Sequence, residues 1–245
     1  MLFKLEVFWV SLTLLVFFGG TLIYNRYKKP FFNPVLLSVV SLILFIKLTK
    51  ADIEDFNQNT RVINFFLGPA VVALGYLLHK QWAEIAKNLL AILLSIATAS
   101  LVGIISVVSV AYLMGADAIL IATLAPKSVT TPIAIGIANK TGGIASLTAA
   151  IVIAVGVFGA VVGSWFLNLI KVENAFARGL AFGTAAHGIG TARAIDEGEI
   201  NGTAAALAIG LTGVFTVLQL FIINFLFGNW SEIQHFLDRF FILAH

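Results

Sequence analysis

Apolar runs near the length of a bilayer crossing follow one another from residue 5 to residue 227, parted by short polar turns. They lie at 5–24, 34–49, 62–78, 88–114, 118–139, 145–170, 175–195 and 204–227. A membrane-crossing helix needs about 20 apolar residues, and only helices and closed barrels satisfy their backbone groups in lipid. The runs predict an all-α fold, a polytopic transmembrane helical bundle of about 8 spans. Charge content agrees. Charged residues make up 11% of the chain, hydrophobic ones 60%, and the mean hydropathy is +1.01. Soluble domains carry roughly 25% charged residues. A water-soluble enzyme, a disordered chain and an ordinary nucleic-acid binder are excluded.

The chain reads as a single domain, 1–245. Residues 1–61 are expected to form peripheral helices, 62–228 a core interrupted at 124–134 and 183–193, and 229–245 an amphipathic tail. In that tail Phe236, Phe240 and Leu243 lie at helical spacing opposite Asp238 and Arg239. No small-residue cleavage site follows the first run, which reads as a membrane anchor. Residues 50–61 are too polar to span and read as an aqueous loop. The net charge of +3 reflects Lys and Arg beside the apolar runs, where they act as topology signals and snorkel. Arg26, Lys28 and Lys29 suggest a cytoplasmic first connection with the N-terminus outside, but the remaining Lys and Arg show little asymmetry, so the sequence leaves the orientation open. There is no Cys, so disulfides and thiol chemistry are excluded. His79, His187, His235 and His245 are too far apart to pair as ligands, and neither a metal nor a cofactor is expected.

Composition shifts along the chain. Residues 1–100 hold four of the 21 glycines, and residues 101–245 hold seventeen. GxxxG pairs occur at Gly159–Gly163 and Gly179–Gly183, and close helix packing is the better reading of both. The third run, 62–78, carries Gly68-Pro69 near its start, a candidate hinge.

Two runs are broken by polar, helix-disrupting strings. The first is Leu124-Ala125-Pro126-Lys127-Ser128-Val129-Thr130-Thr131-Pro132. Pro126 and Pro132 each lack a backbone N–H and disfavour helix just before them. An ammonium in mid-membrane costs about 2.5–3.5 kcal/mol even on the lenient insertion scale, and an anion is its natural partner. The competing reading is a kinked helix with Lys127 snorkelling. The second string is Gly183-Thr184-Ala185-Ala186-His187-Gly188-Ile189-Gly190-Thr191, with Arg193 beyond. Its glycines, Gly183 as hinge and Gly188 and Gly190 near a ligand, allow unusual backbone and close approach. His187 can carry a proton, and Arg193 can grip a carboxylate in two prongs. The alternatives are a hydrogen-bonded core histidine and a topology arginine beside Asp196, Glu197 and Glu199. Paired broken helices point to a transporter site, and their order also allows inverted repeats over runs three to five and six to eight, although no internal sequence similarity supports them.

The string from Pro126 to Ala134 resembles the signature of the LrgB/CidB membrane-protein family. Residues 67–74, 142–149 and 178–194 resemble three further motifs of that family, and the likeness covers roughly residues 34–228. The chain departs from the pattern at 75–81 and at Asp55-Phe56-Asn57-Gln58. The resemblance implies one of two functions. One is antiholin-like or holin-like control of murein hydrolase activity and cell lysis, with a small LrgA/CidA-like membrane protein as partner. The other is transport of small monocarboxylates such as pyruvate, lactate, glycolate and glycerate, as in the related plastidial transporter.

The residues favour the transporter. Lys127, Ser128, Thr130 and Thr131, with His187, Gly188, Gly190, Thr191 and Arg193, would bind a small anionic substrate. Pro126, Pro132 and Gly183 would hold the breaks open, and H+ or Na+ would be the coupling ion. A homo-oligomer in the bacterial cytoplasmic (inner) membrane is expected. An enzyme is not: there is no HExxH string and no Cys, and His187 has no Ser and carboxylate partners nearby.

Overall fold

The computed structural model of the chain describes residues 5–27, 32–66, 69, 76, 79, 82–228 and 230–233. Gly68 and the tail residues Phe236, Asp238, Arg239, Phe240 and Leu243 lie outside that set. The described residues are helical, with turns between helices and no strand. They fall into two compact units, Met1–His79 and Lys80–His245.

The first unit holds α1 (Glu6–Tyr27), α2 (Pro34–Thr49), α3 (Ile53–Asn59) and α4 (Arg61–Phe65). Pro34 suits the first position of α2, where no N–H is needed. Asn33 Oδ1 accepts from the amides of Val35 and Leu36 at 2.9 and 3.2 Å. Asp52 caps α3 through the Glu54 amide at 2.9 Å. The 50–61 stretch is therefore largely a capped short helix. Trp9, fully buried, packs edge-on against Phe45 and Phe56 at centroid distances of 6.1 and 5.3 Å.

The second unit holds α5 (Trp82–Lys87), α6 (Leu89–Leu113), α7 (Ala118–Leu124), α8 (Thr131–Thr141), α9 (Ala145–Leu169), α10 (Ala175–Glu197) and α11 (Glu199–Phe227). Among the described residues α1, α6, α9 and α11 are long and apolar enough to cross a membrane; α2 is apolar but shorter, with 16 residues. Four such helices differ from the eight runs counted in the sequence. Most of run 62–78 lies outside the described residues. Run 34–49 gives the short α2, and the remaining two differences arise where the chain doubles back.

The first reversal joins α7 to α8. Ile144 N donates to Thr123 Oγ1 at 2.9 Å, and Thr148 Oγ1 donates to the Thr123 carbonyl at 3.0 Å. In one straight helix residues 123 and 144 would stand about 31 Å apart. Run 118–139 thus forms two short helices of 7 and 11 residues rather than one long one. Asp117 caps α7 through the Leu120 amide, and Gly142, at φ 80°, ends α8.

The second reversal lies inside α10. Ala186 (φ −130°, ψ 17°) and His187 (φ 42°, ψ −134°) leave helical geometry. Arg178 Nε donates to Glu197 Oε2 at 2.8 Å, although a straight helix would hold these residues about 28 Å apart. The two halves of α10 are folded against each other. Glycines make this possible. A Cβ on Gly156 of α9 would lie 2.6 Å from His187 Cε1, and one on Gly159 would lie 2.5 Å from Ala186 Cβ. On the other side Gly179 and Gly183 touch the carbonyl oxygens of Asn201 and Ala205, so α11 runs alongside the first half of α10. Both GxxxG pairs are packing surfaces, Gly163 meeting the Phe182 ring.

Candidate functional site

The α7–α8 turn faces a cavity of about 450 Å³ inside the second unit. Pro126 is almost completely buried, and the backbone around it closes two successive turns, Lys127 N to Leu124 O at 3.0 Å and Val129 N to Pro126 O at 3.3 Å. These turns present Lys127 and Ser128 to the cavity. α6 contributes Ser95, Ser100 and Gly103, and the first half of α10 contributes Thr184. A Cβ on Gly103 would stand 4.0 Å from Ser128 Oγ, so the missing side chain leaves that space open. A second cavity of about 450 Å³ shares Ser95, Ala177 and Leu180 with the first and reaches Asn88 and Asn174.

The Lys127 ammonium donates to Ser128 Oγ at 3.0 Å. Among the described residues no carboxylate stands within ion-pair distance of it. A half-buried ammonium among the hydroxyls of Ser95, Ser100, Ser128 and Thr184 can hold a small anion by charge and hydrogen bonds. Gln219 stands behind this wall. Its Oε1 accepts from Ser100 Oγ at 3.0 Å, and its Nε2 donates to the Ala97 carbonyl at 2.8 Å.

The other expected site residues sit elsewhere. Thr130, in extended conformation, precedes α8 as its N-cap without a side-chain capping bond. Thr131 and Pro132 open α8, and none of the three lines the cavity. His187 is buried, with Nε2 2.9 Å from the Val152 carbonyl; a carbonyl only accepts, so Nε2 carries the hydrogen. Thr191 Oγ1 donates to the His187 carbonyl at 2.9 Å. A Cβ on Gly190 would stand 2.6 Å from the Phe182 carbonyl, whereas Gly188 has open space. Arg193 Nε donates to Ser164 Oγ at 2.9 Å, and its Nη2 lies 3.7 Å from Glu197 Oε1. It belongs to a cluster that ties Arg178, Glu197 and Ser164 together where the ends of α10 meet. Pro69 is helical and exposed. Among the described residues no three His, Asp or Glu side chains are grouped to hold a metal ion.

Sequence reasoning joined the two strings into one site. The structure brings Thr184 from the second string to Lys127 and Ser128 from the first, and puts His187, Gly188, Gly190, Thr191 and Arg193 outside the cavity lining. Ser95, Ser100 and Gln219 were not anticipated. A clue was present in Ser95, Ala99 and Gly103, small residues four apart on one face of α6.

Comparison with known proteins bears on the whole of this region. The pattern of the LrgB-like family matches residues 13–225. The antiholin-like protein LrgB of Bacillus cereus (strain B4264) is 34% identical over 214 residues, 87% of this chain and 93% of that protein. In Bacillus subtilis (strain 168), YxaC is 33% identical over 84% of this chain and 89% of its own length, and YwbG is 31% identical over 88% and 96%. No solved structure matches the chain. Four apolar helices of membrane-crossing length and a family match over nearly the full length lead to one conclusion: this is a membrane protein, and it belongs to the LrgB-like family.

Proposed function

We propose that this chain acts in the bacterial cytoplasmic membrane as an antiholin-like protein that restrains cell lysis, together with a small LrgA/CidA-like membrane protein. Its support is family membership and the name carried by the Bacillus cereus relative. Lysis timing tests it. Co-expression with a holin in a bacterial host should delay the fall in culture density; an unchanged onset would remove the reading.

One observation favours a second reading. The Lys127 ammonium faces a cavity of about 450 Å³ with a hydroxyl as its partner. On that reading the chain is a secondary or facilitated transporter of small monocarboxylates, the class of pyruvate, lactate, glycolate and glycerate, working as a homo-oligomer. Lys127 balances the carboxylate, and Ser128, Thr184, Ser95 and Ser100 supply hydrogen bonds. Thr130, Thr131 and the reversal at His187 to Thr191 shape the two breaks in the membrane, with H+ or Na+ as the coupling ion. Uptake of labelled pyruvate or glycolate by proteoliposomes, lost in Lys127→Met, supports transport. Release of large trapped dyes, insensitive to Lys127, would instead mark a lytic pore.

A further inference from the structure

A third cavity, of about 250 Å³, opens between α6 and the end of α11. Leu101, Ile105, Val108 and Ser109 line it from α6, Ile223 and Phe227 from α11, and Trp230 closes one end. Trp230 is 5% exposed, and its indole N–H is buried without an acceptor among the described residues. Buried polar groups are satisfied in nearly all native proteins, so an orphan donor calls for an explanation. Water is a poor one, because a bound water needs two to four polar partners and, among its described lining side chains, this cavity offers the Ser109 hydroxyl alone beside the indole. On its far side Trp230 borders a cavity of about 210 Å³ with Ala118, Ile119, Thr141, Gly142 and Ser231, and neither hydroxyl there is hydrogen-bonded to the indole.

The mouth of the apolar cavity identifies the occupant. Ile105 is 53% exposed and Phe227 40%, and the exposed surface continues along α11 through Phe221 and Phe225. α6 and α11 are both long and apolar enough to cross a membrane, so this surface meets acyl chains. Trp230 follows the last residue of α11 by three positions. Tryptophans at helix ends lie at the level of the lipid headgroups, where the ester carbonyls are.

We propose that a membrane phospholipid occupies this site, with one acyl chain in the cavity and its ester carbonyl accepting the Trp230 indole hydrogen bond. This does not depend on what Lys127 binds. Fluorescence tests it in vesicles of phosphatidylcholine brominated near the ester end. The protein carries Trp9→Phe, Trp82→Phe and Trp165→Phe, leaving Trp230 as its single tryptophan. Quenching should saturate while brominated lipid is a minor fraction of the total, as at a preferred site. Should the triple variant fail to fold, the difference in quenching between the full chain and Trp230→Phe carries the same information. Phospholipid retained through purification should fall about fivefold in Trp230→Phe, which keeps the ring and loses one hydrogen bond. Quenching in simple proportion to bulk lipid overturns the proposal. So does quenching that appears only when residues 234–245 are deleted, because the chain's own tail would then be the occupant.

Discussion

The α7–α8 turn and the reversal of α10 answer the same problem in opposite ways. Each bends the chain back within a run that reads as apolar, and each contains polar groups. At α10 the polar groups from His187 onward are paired internally: His187 on the Val152 carbonyl, Thr191 on the His187 carbonyl, Glu197 on Arg178 and Ser164. At the α7–α8 turn the ammonium finds one neighbouring hydroxyl and otherwise faces open volume. A reversal whose polar groups are internally paired is architecture. One with an under-partnered charge beside a cavity is available to a ligand.

The sharpest way to break this contrast is Gly183→Leu. The Ala205 carbonyl already touches Gly183, and no flexible side chain is there to yield. A loss of about 3 kcal/mol or more is expected, seen as failure to recover monodisperse protein. Glu197→Gln leaves Arg178 and Arg193 without their carboxylate. It should cost between about 2 and 3 kcal/mol, read as a lower Tm, with little effect on anion uptake. Lys127→Met should do the reverse, keeping Tm near that of the parent while anion binding falls about 30-fold, the worth of roughly 2 kcal/mol of charge-assisted bonding. Ser128→Ala should weaken binding about fivefold, near 1 kcal/mol, in the same assay. Gly188→Ala is the smallest test. A methyl there meets no atom within 4 Å, so Tm should move by less than the equivalent of about 0.5 kcal/mol. A large loss of anion binding in that variant would bring the α10 reversal back into the site and dissolve the contrast.

Lys127 and Ser128 were legible in the sequence because Pro126 and Pro132, six residues apart, leave no room for an uninterrupted helix through this run, and a lysine between them stands out in an apolar setting. Arg193 was ambiguous for a physical reason. Its neighbour Glu197, four residues on, is visible in the sequence, but the stronger Arg178–Glu197 pair spans 19 residues and exists only if the chain reverses at His187. Ser95 was hidden because serines in apolar helices ordinarily bond their own backbone, as Ser95 does to the Ala91 carbonyl at 2.7 Å. Among the described residues four of the eight apolar runs form helices of membrane-crossing length, since hydrophobicity is the same for a run that crosses and one that turns back.

The clasp between Arg178 and Glu197 has a topological consequence. Because it fastens the start of α10 to its finish, that segment departs from and returns to one aqueous compartment, and it adds nothing to the parity of crossings. The C-terminal end of α9 and the N-terminal end of α11 must then emerge on the same face of the bilayer, so an impermeant reagent that reaches a label at Glu173 will also reach one at Glu199.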